Sequence, residues 1–162
     1  MSETDMVEAM NQALATLGIS DTVDVVGQFQ PRGTSGAFLS GGLIGGAAGE
    51  ALGGGVGDAL GELAGALAGE ESAAHAQGLP EYLLVGVSAS MVYGMPGRSR
   101  HTPPRSVVFA VARAEVRAVE HQRGMVRVLE LVHEGSGSTI ELEGSRVPLT
   151  HSKDVIDLLV GL

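Results

Sequence analysis

Cysteine and tryptophan are absent from this 162-residue chain. Without cysteine there is no disulfide framework, no thiolate zinc site and no cysteine nucleophile. Aromatic residues are only 3% of the chain, and Tyr82, Tyr93 and Phe109 fall in its second half, so the compact core is expected late. Bases are nearly missing from the first part. Residues 1 to 93 hold eleven acids against one base, Arg32, a balance of -10, whereas residues 94 to 162 hold nine bases against eight acids, a balance of +1. Nucleic-acid binding needs a basic footprint that this distribution lacks, so no nucleic-acid partner is expected. The opening MSETDMVEAM has neither the basic start nor the apolar run of a secretory signal, and the expected location is the cytoplasm. HExxH, GxxxxGK[ST] and GxSxG are also missing. Of the five scattered histidines, His121 and His133 fall on neighbouring expected strands, but two are too few for a metal site. No catalytic residue, metal or cofactor is expected.

What is present begins with Met6, Val7, Met10, Leu14 and Leu17 at helical spacing over residues 4 to 17, closed by Gly18. Val23, Val25 and Val26 then form a pattern too short to choose between strand and helix. QPRGTSG at 30 to 36 reads as a linker, so residues 1 to 33 are expected to form an amphipathic helix and linker.

Residues 34 to 78 carry the most distinctive pattern. Gly41, Gly45, Gly49, Gly53, Gly57, Gly61, Gly65 and Gly69 recur every fourth residue. Small residues at this spacing let helix backbones approach closely, and the run resembles the glycine zippers of membrane and pore-forming helices. Three consecutive glycines at 53 to 55 carry a large helix penalty and suit a turn, which predicts a helical hairpin with arms near 36 to 52 and 56 to 76. Leu52, Val56, Leu60, Leu63 and Leu67 share one face of the second arm, opposite Asp58 and Glu62. The uncharged run ends at Glu50, short of the roughly 20 apolar residues that a membrane span needs.

From Leu79 the pattern turns to strands. EYLLVGVSASMVY reads as one half-exposed strand, with Leu83, Val85, Val87, Ala89, Met91 and Tyr93 on one face. SVVFAVA at 106 to 112, EVRAVEH at 115 to 121, MVRVLELVH at 125 to 133 and STIELEG at 138 to 144 are four more, with turns at Gln122-Arg123-Gly124 and Gly135-Ser136-Gly137. Ser152 is placed to cap a last helix whose apolar face is Val155, Leu158, Leu159 and Leu162. This order, with VVFAVARAEVRAVEHQRG followed by two paired strands and a terminal helix, resembles the bacterial pleckstrin-homology-like (PH-like) domains over residues 79 to 162. The sequence departs from them in yielding five strands where such folds usually have seven.

The fold class expected is therefore α+β: N-terminal helices including the glycine-zipper hairpin, then an antiparallel sheet or partial barrel closed by a C-terminal helix. The resemblance directs attention to Arg98, Arg100, His101 and Arg105 in the loop GMPGRSRHTPPR, because PH domains that bind inositol phospholipids carry a basic cluster there. These four are the candidate anion- or partner-binding residues, and the eight zipper glycines are the candidate helix-packing residues. The expected function is non-catalytic binding and self-assembly, with a homo-oligomer formed through the zipper and a protein partner met by the β domain. The alternative is a membrane-associated adaptor with residues 36 to 69 in the bilayer, a reading opposed by Glu50, Asp58 and Glu62.

Overall fold

The computed structural model of the protein describes residues 2–35, 79–97, 104, 106–135, 137–145 and 148–161. The zipper glycines and their expected hairpin lie outside the described residues. The chain is α+β, with a helix at each end of one seven-stranded antiparallel sheet.

Helix α1 (Glu3–Thr16) starts at a capping box: the Ser2 hydroxyl accepts from the Asp5 amide at 3.2 Å and the Asp5 carboxylate accepts from the Ser2 amide at 2.9 Å. It ends where Gly18 takes φ +77°, which costs a glycine little. Met6, Met10, Ala13 and Leu14 are its buried face, as the spacing predicts.

The strands are β1 (Val23–Ser35), β2 (Leu83–Ser88), β3 (Met91–Pro96), β4 (Phe109–Ala112), β5 (Val116–Arg123), β6 (Val126–His133) and β7 (Thr139–Gly144). Their order across the sheet is β4-β3-β2-β1-β7-β6-β5. One buried cluster takes Val85, Val87, Val92 and Val111 from one wing and Leu129, Leu131, Ile140 and Leu142 from the other, as a sheet curled over its own inner face requires. A second cluster, built on Met6, Met10, Leu14, Val26, Leu84, Tyr93 and Met95, lies between α1 and the outer face of the β1–β4 wing. The arrangement is compatible with a PH-like sandwich or barrel.

Three expectations are corrected here. The linker at 30 to 36 is strand through Ser35: β1 continues past its Val residues and pairs with β7 from Phe29↔Gly144 to Ser35↔Thr139. Pro31, which has no N–H to give a ladder, sits beside an irregularity of register between Pro31 and Gly33. The first 35 residues thus supply the central strand of the sheet that residues 83 to 144 complete, and the sheet does not divide at residue 33. Residues 81 to 93 are not one half-exposed strand but the hairpin of β2 and β3, turning at Ala89-Ser90, with Val87 opposite Val92. The Ser88 hydroxyl accepts from the Ser90 and Met91 amides and donates to Asp21, which holds that turn. These two corrections account for seven strands instead of five.

The third concerns the final helix, α2 (Ser152–Val160). Ser152 is its first residue, not its cap. His151 holds the cap position at φ +50°, and the buried Ser152 hydroxyl donates to the Ser145 carbonyl at 2.8 Å, tying the helix to the end of β7. Val155 and Ile156 are buried in the inner core while Leu158 and Leu159 are partly buried against it. Ile156 was not on the expected face, and Leu162 lies outside the described residues. Gly27 and Gly144 give α2 its seat: a Cβ on Gly27 would stand 2.9 Å from the His151 carbonyl oxygen and from the Ser152 Cα.

A candidate groove on the outer face of the central strand

Strand β1 is long enough to serve two neighbours in succession. Up to Phe29 it pairs with β2, ending at Phe29↔Leu83; from Phe29 onward it pairs with β7, starting at Phe29↔Gly144. Only at Phe29 is the strand paired on both sides: before it β2 alone is its partner, and after it β7 alone. Gly27 and Phe29 face the inner core and α2, so alternation turns Gln28 and Gln30 to the outer face.

Two adjoining cavities lie there. One, of about 290 Å³, is lined by Gln28, Gln30, Tyr82, Val126, Glu143 and Thr150, among others; the second, of about 360 Å³, is lined by Gln30, Pro31, Arg32, Pro80, Glu81 and Glu143, among others. Sharing Gln30 and Glu143, they form one groove along β1. Arg32 donates to the Glu143 carboxylate across its floor. Ser145 is held at its side, its carbonyl accepting from the Thr150 and Ser152 hydroxyls. Met125 and Leu149 are the large apolar residues most exposed among those described, at 75% and 63%, and each directly precedes a lining residue, Val126 or Thr150.

The expected binding residues stand differently. Arg98, Arg100, His101 and Arg105 lie outside the described residues, between β3 and β4. Pairing nevertheless fixes where their loop departs: Leu83 is opposite both Phe29 and Pro96, so the β3–β4 connection leaves from the same end of the sheet as the β1–β2 connection, which carries the zipper glycines. His121 and His133 do lie on neighbouring strands, β5 and β6. Their register partners are Val128 and Val116, however, which sets them far apart along the ladder, and they pair separately with Glu130 and Glu115.

Other polar clusters have structural explanations. Tyr93 donates to Asp21 at 2.9 Å, and burial, reinforced by that carboxylate, holds its phenol well above the ordinary range. The network fastens the segment between α1 and β1 to the β2–β3 hairpin. Arg127 binds Glu120 through two hydrogen bonds, at 2.6 and 3.0 Å, and Asp157 of α2 at 2.8 Å, and it holds both carboxyls below their ordinary values. Glu3, His151 and Asp154 bring three donor atoms within 4.8 Å of one another. They stand at the N-terminal ends of α1 and α2, where positive partial charge favours the carboxylates and disfavours a cation, and the contact of His151 with Asp154 at 3.4 Å suffices to explain them.

The groove was not foreseen. Its lining comes from four separated stretches of chain, although QFQPR carried a signal in the polar residues that alternate with Phe29 and Pro31. Among the described residues, no helix is long and apolar enough to cross a membrane. The chain matches no protein-family model, and no curated protein is found to be similar to it in sequence.

Proposed function

We propose that this protein is a non-catalytic binding and assembly protein: a PH-like scaffold that presents a glycine-zipper segment through which copies associate. The observation that carries this reading is topological. All eight glycines of the four-residue register fall between β1 and β2, antiparallel neighbours at the centre of the sheet, so the scaffold tethers both ends of the segment at one end of the fold. The loop holding Arg98, Arg100, His101 and Arg105 departs from that same end. Seven strands followed by a helix seated on the inner core support the PH-like reading.

A membrane-associated adaptor is the second reading, favoured by the uncharged run before Glu50 and opposed by Asp58 and Glu62. Self-association is preferred because the Leu stripe beside the zipper needs an apolar cover that another copy supplies.

Gly45→Leu and Gly61→Leu distinguish close backbone packing from simple stickiness. Added apolar surface strengthens association if burial alone drives it, whereas a zipper weakens because the new side chain does not fit. Light scattering on the two variants should show smaller assemblies than the parent forms. Undiminished association in both refutes the zipper, and partition of the parent onto lipid vesicles in place of self-association selects the adaptor.

A further inference from the structure

We propose that α1 is an oxidation-released strap: hydrogen peroxide converts the methionines beneath it to sulfoxides, and the helix then leaves the outer face of the β1–β4 wing. The inference rests on neither the zipper nor the groove.

With no cysteine in the chain, methionine carries all of its sulfur. Four of the six methionines, Met6, Met10, Met91 and Met95, meet in the one cluster between α1 and the sheet. Two come from the helix and two from β3, so thioethers stand on both sides of the contact. Hydrogen peroxide gives one oxygen to a thioether as its O–O bond breaks: the sulfur loses two electrons, the sulfoxide forms and water leaves. The product is polar, and burying it without a hydrogen bond is unfavourable. Among the described residues no buried side-chain nitrogen or oxygen lacks a partner, so no side-chain donor waits for the new oxygen. Turning the methionine aside carries that oxygen with it. An oxidised α1 is therefore better solvated than docked.

Met6 and Met10 are fully buried, so the oxidant reaches them when α1 lifts. The fold permits that motion without global unfolding, because no residue of α1 belongs to the inner cluster that joins the two wings and α2. Terminal elements of this kind open locally at lower free energy than the core. The polar tie of Asn11 to the Val23 backbone, at 2.8 and 3.2 Å, holds the reduced helix in place. A helix of 14 residues is marginal in water by itself, so once its apolar face is spoiled it does not persist.

The test exposes the full chain to increasing hydrogen peroxide, maps the sulfoxide at each methionine by mass spectrometry, and follows amide hydrogen exchange in α1 and in β6 and β7. Met125, 75% exposed and outside the cluster, is the internal control: it should oxidise first and leave exchange unchanged. Sulfoxide at Met6 and Met10 should follow, with protection of α1 falling by about tenfold or more while β6 and β7 keep theirs. Methionine sulfoxide reductases acting on both epimers should restore it. The Met6→Leu/Met10→Leu variant, close to the parent in volume, should keep α1 protected at the same dose. Should that variant fail to fold, the comparison of oxidised with enzymatically repaired parent decides alone. Three results overturn the proposal: Met6 and Met10 that stay reduced at every dose short of global unfolding, α1 that stays protected although both are sulfoxides, and protection lost in β6 and β7 together with α1.

Discussion

Replacing Gly27 by alanine tests whether α2 is seated on the sheet as tightly as the structure implies. The new Cβ would stand 2.9 Å from the His151 carbonyl oxygen, 2.9 Å from the Ser152 Cα and 3.0 Å from a Val155 methyl. Two of these are backbone atoms, so relief requires the start of α2 to move by about 0.5 Å or more to reach normal contact. That start is held by the Ser152 hydroxyl on the Ser145 carbonyl, by buried Val155 and Ile156, and by Asp157 on Arg127. Overpacking against such a fixed neighbour typically costs about 1–3 kcal/mol. Relieving the entropy cost of a strand glycine returns about 0.5–1 kcal/mol, so the expected net loss is about 1–2 kcal/mol. Gly86→Ala is the internal comparison. Its Cβ would come closer still, 2.4 Å from the Met10 sulfur, but that is the far end of a flexible side chain that can turn aside. The loss there should stay below about 1 kcal/mol. Urea unfolding followed by far-UV circular dichroism reads both: for a slope of about 1–2 kcal/mol per molar, Gly27→Ala should lower the midpoint by roughly 1 M. A midpoint for Gly27→Ala equal to the parent's, or a larger loss in Gly86→Ala, refutes the seating described.

Two further outcomes follow from the sheet and its ion pairs. A chain beginning at Leu79 lacks β1, which alone joins β2 to β7, so it should show no cooperative thermal transition; a sharp transition in that fragment would mean that β1 is dispensable. Arg127→Met should lose at most about 1 kcal/mol at neutral pH, since its partners are partly solvated. Glu120 and Asp157 titrate lower in the folded chain than in the unfolded one, so their contribution is complete above the ordinary carboxylate range near pH 4 and is lost as pH falls through their lowered values. The difference between parent and variant midpoints should therefore narrow in acid, and a difference independent of pH contradicts the role given to Arg127.

The parts of the fold legible in the sequence are those where one face meets solvent. In α1, buried Met6, Met10 and Leu14 contrast with exposed neighbours. β7 alternates cleanly, with Ile140 and Leu142 inward and Glu141 and Glu143 outward, and β6 does so from Leu129 to Leu131 around Glu130, although Val128 is buried as well. β2 and β3 lack that contrast: α1 covers their outer face, every residue from Leu83 to Ser88 is buried, and no periodicity marks where the chain turns. Ala89-Ser90 is a weak turn signal, and it is the Ser88 hydroxyl that compensates for it. In β1 the error ran the other way, since Pro31, Gly33 and Ser35 have the composition of a linker. An irregular register lets a strand hold them, and the burial of Phe29 and Pro31 between Gln28, Gln30 and Arg32 was the period-two clue.

The groove could not be read from local pattern, because its existence depends on a change of partner along one strand. Gln28–Arg32, Leu79–Tyr82, Val126 and Glu143–Thr150 are distant in the chain and meet only because β1 passes from β2 to β7 at Phe29. The same transfer acts on both faces. On the inner face it leaves room beside Gly27 that α2 fills, with His151 and Ser152 at contact distance; on the outer face α1 packs over Val26, and the room beyond remains open as the groove. One geometrical event therefore produces a filled site and an unfilled one back to back. The inner site is apolar and closed by a helix of the same chain, whereas the outer one is lined by polar side chains, among them Gln28, Gln30 and Glu143, interleaved with apolar ones such as Val126 and Pro31.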